Sequence, residues 1–447
     1  MAQAEADQVL PDDMLANVFG RLPPCSLAAS RCVRKHWCSV IDTRRLLRAD
    51  LLPLRLDGFF CNSLPLLVPG PSFFARPSAA RRVGSGGRLD FSNELRYLAV
   101  SDHCNGLILM GHMVINPATR QRVTLPPDPP MPPRDDDEDE VDDLPAGRLC
   151  LAYDPMVSPH DYQVVAIPYD SIIKPSPSPC TTHVFSSREW RWKEKSFVRQ
   201  GQGDDYQDGD MVSTMVLDRR LSHRQAVYFR GAIYVHCQND AVMRIALSDD
   251  KYQVVKSPAA GTKLGRYSDS YLGKSEKGVY SALLDWDDHL WPQFRVWLLD
   301  EFSGQMEWVL KTSISLRALL ENYAFGIDYD TNRYAGRPWV VINYEQTQEE
   351  APAQDDQRDD EWDFDNGIIL EATDDNATAG SFCEIIFLGF HPYKEIAFLD
   401  VSGTAVSYHL NTSKVQELGI LHVPPMETSF PYTACWFNLG SYPKTIS

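Results

Sequence analysis

The stretch Leu10–Ile41, LPDDMLANVFGRLPPCSLAASRCVRKHWCSVI, reads as three short helices. Leu10-Pro11 is a stiff extended lead-in, and Asp12 and Asp13 stand where acidic side chains favour a helix N-terminus. Leu15, Val18, Phe19 and Leu22 follow at i, i+3, i+4 and i+7, one apolar stripe on one helix face. Pro23-Pro24 ends that helix, because proline lacks the amide donor and clashes with the preceding turn. Ser26 suits the N-cap of a second helix carrying Leu27, Ala28, Cys32 and Val33, and Trp37, Val40 and Ile41 give a third apolar face. Roughly forty residues bury too little for a self-sufficient core. Such a trio must dock on something, and its leftover apolar residues make it a partner-binding module.

At these residues a family resemblance becomes specific. Leu-Pro before an acidic pair, Met14-Leu15, Arg21-Leu22-Pro23, Ser26-Leu27, Arg31-Cys32-Val33, then Lys35 and Trp37 resemble an F-box in order and spacing. Arg34 stands where many members have cysteine, a departure on an expected exposed turn. The resemblance implies binding to a Skp-type adaptor and, through it, to a cullin-RING ubiquitin ligase. It also implies an adaptor surface of Leu10, Pro11, Met14, Leu15, Leu22, Leu27 and Val33, with Phe19 and Trp37 holding the helices together.

Outward from this module, 447 residues leave room for one large further body. The expected division is a disordered tail at 1–8, the F-box at 9–50 and a β domain over 56–445. The start carries no basic-then-apolar leader, and no run approaches the ~18 apolar residues that span a bilayer, so no membrane partner is expected. Ten cysteines without a repeating spacing read as reduced thiols of a cytoplasmic and/or nuclear chain. The net charge of −18 is concentrated in two segments. Arg134–Asp143 holds eight acidic residues and Glu345–Asp375 thirteen, each with one arginine, and the rest is close to neutral. These read as solvated acidic insertions near 134–143 and 345–375. Nothing clusters Lys and Arg with aromatics as a nucleic-acid groove requires.

From about Leu56 the helical period gives way to short runs rich in Val, Ile, Tyr, Phe and Trp between Gly, Pro, Asn and Asp, the texture of an antiparallel all-β body. Leu316–Asn322 is the main helix candidate there. A weak repeat links Gly231-Ala232-Ile233-Tyr234, Met243-Arg244-Ile245 and Lys251-Tyr252-Gln253-Val254 to Gly278-Val279-Tyr280, Arg295-Val296-Trp297-Leu298 and Met306-Glu307-Trp308-Val309. The glycines are 47 residues apart, the length of a four-stranded propeller blade. A β-propeller is therefore the expected fold, with a double β-sandwich as the alternative. Cys104-Asn105-Gly106-Leu107, Asn116-Pro117-Ala118-Thr119-Arg120, Tyr153-Asp154-Pro155 and Phe390-His391-Pro392-Tyr393-Lys394 are similar to the associated domain of plant F-box proteins. That resemblance implies a mainly β, propeller-like receptor for a protein destined for ubiquitination.

Other constellations carry less. Cys25, Cys32, Cys38 and His36 lack the CxxC spacing of a zinc knuckle. His103-Cys104 with His112 could pose as a Cys/His nucleophile site, but no orienting third residue is identifiable and Cys104 suits packing between blades. The acidic runs lack the ligand and glycine alternation of a calcium loop. No cofactor or metal site is assigned. The Asp285–Pro292 loop, with Trp286, Trp291, Asp287, Asp288 and His289, is the expected target-binding site, and half-buried packing of the two tryptophans is its rival. The sequence thus points to a non-catalytic receptor with an adaptor end and a target end. A stand-alone propeller scaffold, or a propeller enzyme such as a metal oxidase, is the alternative from another class.

Overall fold

The computed structural model describes residues 10–22, 27, 30, 33–44, 46, 55–63, 70–80, 83, 89, 95, 97–127, 147–168, 180–200, 226–236, 241–259, 267–287, 290–301, 306–323, 338–342, 368–369, 385–421 and 426–439. The tail at 1–8, the acidic insertion at 134–143 and all of the one at 345–375 except Ile368–Ile369 lie outside the described residues. The chain divides into two compact units, Met1–Leu54 with Pro155–Pro159, and Arg55–Asp154 with His160–Ser447.

In the first unit, α1 (Asp12–Phe19) starts where the sequence places it, with Pro11 extended and Asp12 and Asp13 in the first turn. It stops earlier than the Pro23-Pro24 signal, at Gly20, and the chain tightens through Arg21 N–H to Val18 O and Leu22 N–H to Phe19 O. The residue before a proline avoids helical geometry, so the break propagates backward from Pro23. Helix α2 (Lys35–Thr43) packs its Trp37, Val40 and Ile41 against Leu15, Phe19 and Leu27. Phe19 and Trp37 meet edge-on at 5.3 Å.

The second unit is built from four-stranded antiparallel sheets. The first joins β1 (Gly58–Ser63) and β2 (Ser72–Ala75) to β19 (Val340–Ile342) and β25 (Met426–Tyr432). The second is β3 (Asp102–Cys104), β4 (Leu107–Met110), β5 (Met113–Asn116) and β6 (Gln121–Thr124). The third, β7 (Gly147–Ala152), β8 (Gln163–Pro168), β9 (Cys180–Ser186) and β10 (Arg191–Arg199), is fused to the fourth, β11 (Val227–Phe229), β12 (Ala232–His236), β13 (Val242–Ala246) and β14 (Lys251–Val255). The seam is a short parallel pairing of Val198-Arg199 with Lys251-Tyr252. The fifth is β15 (Tyr267–Ser275), β16 (Gly278–Asp287), β17 (Leu290–Asp300) and β18 (Glu307–Ser315). The sixth is β21 (Ile385–Phe390), β22 (Ile396–Val401), β23 (Thr404–His409) and β24 (Lys414–Ile420), with β20 (Ile368–Ile369) at its edge.

The core shows that these sheets are six blades of one ring. A separate apolar layer lies between each neighbouring pair. Ile108 and Phe60 share the layer between blades one and two, and Phe59 and Phe398 the layer between one and six. Such radial packing belongs to a propeller and not to a two-layer sandwich. The Gly231 and Gly278 repeat units occupy equivalent places: β12–β14 in blade four and β16–β18 in blade five. The ring closes where β1 pairs with β25 from Gly58–Tyr432 through Ser63–Met426. Buried Asn62 secures that closure, donating to Val100 O and Thr428 Oγ1 at 2.8 Å and accepting from Val100 N–H at 3.0 Å. The short helices α3 (Pro77–Ala80) and α4 (Arg317–Tyr323) flank blades one and five, and α4 corresponds to the Leu316–Asn322 candidate.

Candidate functional sites

Two surfaces on separate units present unassigned chemistry. On the helical unit, the i, i+3, i+4, i+7 stripe is used internally: Leu15 is 4% exposed, Phe19 and Leu27 are buried, and Leu22 packs half-buried beside them. Leu15 and Leu27, and largely Leu22, therefore form the inside of the unit and not its outer surface. A helix in so small a unit spends its strongest stripe on its own neighbours. The apolar residues left outward are Leu10, Met14, Val18 and Val33, the last two of α1 57% and 51% exposed, with Pro11 exposed beside them. Val18 belonged to the stripe in sequence but faces outward, and the row Leu10, Met14, Val18 repeats every four residues. Exposed polar contacts from α1 to the second helix and the residue after it, His36 with Asp12 at 3.1 Å and Arg44 with Asp13, add little to stability.

In the β unit, the first strand of blades two, four, five and six and the last strand of blade one converge on a cavity of about 250 Å³ at the ring axis. One end is marked by Asp269, Met426 and exposed Glu427 at the strand starts, with Trp286 from the β16–β17 hairpin. Tyr271, Ile385, Phe387 and Phe390 form apolar wall between the ends. At the other end Lys274 reaches from blade five to the opposite side of the ring. Its ammonium donates to Asn105 Oδ1 of blade two at 2.8 Å and to Tyr228 O of blade four at 3.1 Å. His103 also lines the cavity; burial holds its imidazole near 3, hence neutral, and its Nδ1 is buried without a hydrogen-bond partner.

The expected target-binding residues separate here. Trp286 is half-buried and lines the cavity. Trp291 is 9% exposed and lies in the layer between blades five and six, with the Arg317 guanidinium 5.5 Å from its ring centre. The cause is a β-bulge: Asp285 pairs with Gln293 but Asp287 with Leu290, so Trp291 and Pro292 together oppose Trp286. A bulge also admits proline to a strand interior. Asp285 is buried, accepting from Ser268 Oγ at 2.7 Å and facing Arg295 at 3.4 Å. Asp287 ends β16, while its side chain, Asp288 and His289 lie outside what is described.

His103, Cys104 and His112 form no nucleophile site. Burial pushes the Cys104 thiol up to about 11, and it is engaged with Tyr153, donating to the carbonyl at 3.2 Å. His112 sits exposed in the β4–β5 turn. Among the described residues no group of three His, Cys, Asp or Glu side chains could hold a metal ion, and no helix is long and apolar enough to cross a membrane. Lys274, Tyr228, Asp269 and Glu427 are site residues that sequence reasoning missed. Their shared signal, position on a blade's innermost strand, exists only once the blades are counted.

Comparison with known proteins bears on the helical unit most directly. Residues 8–49 match the F-box domain family. Three Arabidopsis thaliana proteins, all named as F-box proteins, are similar over longer stretches. At3g10240 is 24% identical across 46% of this chain and 52% of its own length. At4g21240 is 25% identical across 69% and 68%, and At1g30790 is 23% identical across 70% and 76%. The chain spans about half the length of the first of these.

Proposed function

We propose that this chain, whose residues 8–49 are an F-box domain, is the substrate-recognition subunit of a Skp–cullin–F-box ubiquitin ligase. The carrying observation is the outward apolar row Leu10, Met14 and Val18 with Val33, left over after Leu15, Phe19, Leu27, Val40 and Ile41 have packed inward. A unit this small gains from covering such a row, and an adaptor helix would cover it. The β unit then captures a target protein at the Trp286 end of the ring, where Asp269 and Glu427 favour a basic segment with an apolar anchor. The chain itself is non-catalytic in this reading. Ubiquitin passes from a separate conjugating enzyme, and this subunit supplies proximity. The expected compartment is cytoplasmic and/or nuclear.

The test uses the full chain and a purified Skp-type adaptor. Replacing Met14 and Val18 together with glutamate puts two charges into the proposed interface and should weaken binding by about a hundredfold or more. A folded double variant that binds the adaptor normally removes the reading.

A further inference from the structure

The axial cavity holds a charge that the receptor reading does not use. Blades two and five stand opposite each other in a ring of six, so the Lys274 side chain, bonded to Asn105, crosses the axis and closes one end of the cavity. An ammonium has three donors. Two are taken by neutral oxygens, Asn105 Oδ1 and Tyr228 O, and the third has no acceptor among the described residues. Among the described residues no carboxylate oxygen pairs with it. Two acids still act electrostatically in this region: Asp102, whose carboxyl burial pushes up to about 7 and on which Lys274 acts, and Asp154, which acts on neighbouring Cys104 and Tyr228. A cation fixed by two bonds in a walled cavity focuses its field into that cavity.

We infer that this cavity is a binding site for a small organic monocarboxylate with an aromatic or apolar body, its carboxylate on Lys274 and its body between Tyr271, Ile385, Phe387 and Phe390. One fixed cation beside a neutral His103 suits a single negative charge better than a phosphate dianion. The far end of the cavity argues the same way. Asp269 precedes Lys274 by five residues on β15, about 16 Å at ~3.3 Å per residue, and with Glu427 it disfavours a second anionic group there. A volume of about 250 Å³ limits the ligand to a compact molecule. His103, with its unpartnered Nδ1, is a second polar group on the wall. The site lies wholly within the β unit and does not depend on which target or adaptor binds.

Titration calorimetry on the full chain with 3-phenylpropionate, its uncharged amide, acetate and inorganic phosphate tests this. The expected result is saturable one-to-one binding of the carboxylate, with the amide and acetate each weaker by about tenfold or more. Lys274→Gln keeps donors for Asn105 and Tyr228 but removes the charge, so it should abolish the preference for acid over amide at an unchanged melting temperature. Equal affinity for acid and amide in the wild-type chain overturns the proposal even if every Lys274 variant fails to fold. So does the absence of saturable carboxylate binding up to about 10 mM. Phosphate or acetate binding as tightly as 3-phenylpropionate would show an anion site only, with no role for the apolar wall, and a folded Lys274→Gln that binds normally would place the ligand elsewhere.

Discussion

At the scale of single residues, burial decides more than residue type. Leu15 and Met14 are neighbours of similar volume, yet one is inside the helical unit and the other 57% exposed. Leu15→Ala should cost about 2–5 kcal/mol of that unit's stability, seen as faster amide exchange across α1 and α2, whereas Met14→Ala should leave exchange unchanged. Asp102 gives a residue-scale pH dependence. Its Oδ2 accepts the Leu151 N–H at 2.6 Å, but its Oδ1 is buried without a partner, and desolvation raises the carboxyl to about 7. The unfolded chain gives up this proton near the ordinary 3.8 and the folded chain only near 7. The fold therefore binds the extra proton in that window, and this group's contribution falls as pH rises through it. His103 and His391 act oppositely. Burial lowers both to about 3, so the stability of keeping them neutral is present above about 6.5 and lost as pH falls toward 3. Asp102→Asn keeps an acceptor for Leu151 and removes the ionisation, so its melting temperature should exceed the wild type's at pH 8 and match it near pH 4. A variant no more stable at pH 8 would show that Asp102 ionises freely in the fold.

At the scale of elements, what could be read in the sequence depended on how far apart the partners lie. Asn105-Gly106, quoted from the sequence only within a family motif, is a hairpin turn in the fold: both residues take positive φ, 46° and 89°, the geometry that asparagine and glycine favour between strands. The repeat through blades four and five was legible because all its contacts are local. Strand β10, RWKEKSFVR, was not: its exposed face carries charge and only Phe197 is fully buried, so it lacks a strand's apolar texture. Strand β15, YSDSYLGKS, hides for a related reason, since its polar Asp269 and Lys274 line the axial cavity and interrupt the apolar run. The closure of β1 on β25 joins residues some 370 positions apart, beyond any local pattern. The Asn116-Pro117 motif likewise shows its purpose only in three dimensions. Asn116 is fully buried, caps its own turn by accepting from Ala118 and Thr119 N–H, and donates to Phe437 O at 2.7 Å in the segment after β25. That segment lays Phe437 against Tyr153 and Tyr162 and runs so close to Gly106 that a Cβ there would meet Thr433 O at 2.6 Å. Gly106→Ala combines a strained φ with that clash and should destabilise the β unit by more than Asn116→Ala, itself expected to cost about 1–3 kcal/mol. Chemical denaturation of the two variants orders them, and an Asn116→Ala chain as stable as wild type would mean the terminal segment does not brace the ring.

At the scale of the whole molecule, two compact units allow two losses of function that do not cross. The helical unit offers an apolar row and almost no depth, while the β unit offers a walled axial cavity with an aromatic and acidic end. In the receptor reading, each surface can be disabled alone. Met14→Glu with Val18→Glu should release the adaptor while a captured target stays bound. Trp286→Ala should do the reverse, because Trp286 is half-buried at the cavity end and aromatic anchors carry a large share of interface energy. Trp291 supplies the internal control. It sits one bulge away in the same hairpin but inside the layer between blades five and six, so Trp291→Ala should cost about 3–5 kcal/mol and lower the melting temperature. Measuring unfolding, adaptor binding and target capture on one preparation of each variant separates these effects. A Trp286→Ala chain that melts like the wild type and still captures its target would move the binding surface off this end of the ring. One that melts early would assign Trp286 to the blade's packing together with Trp291.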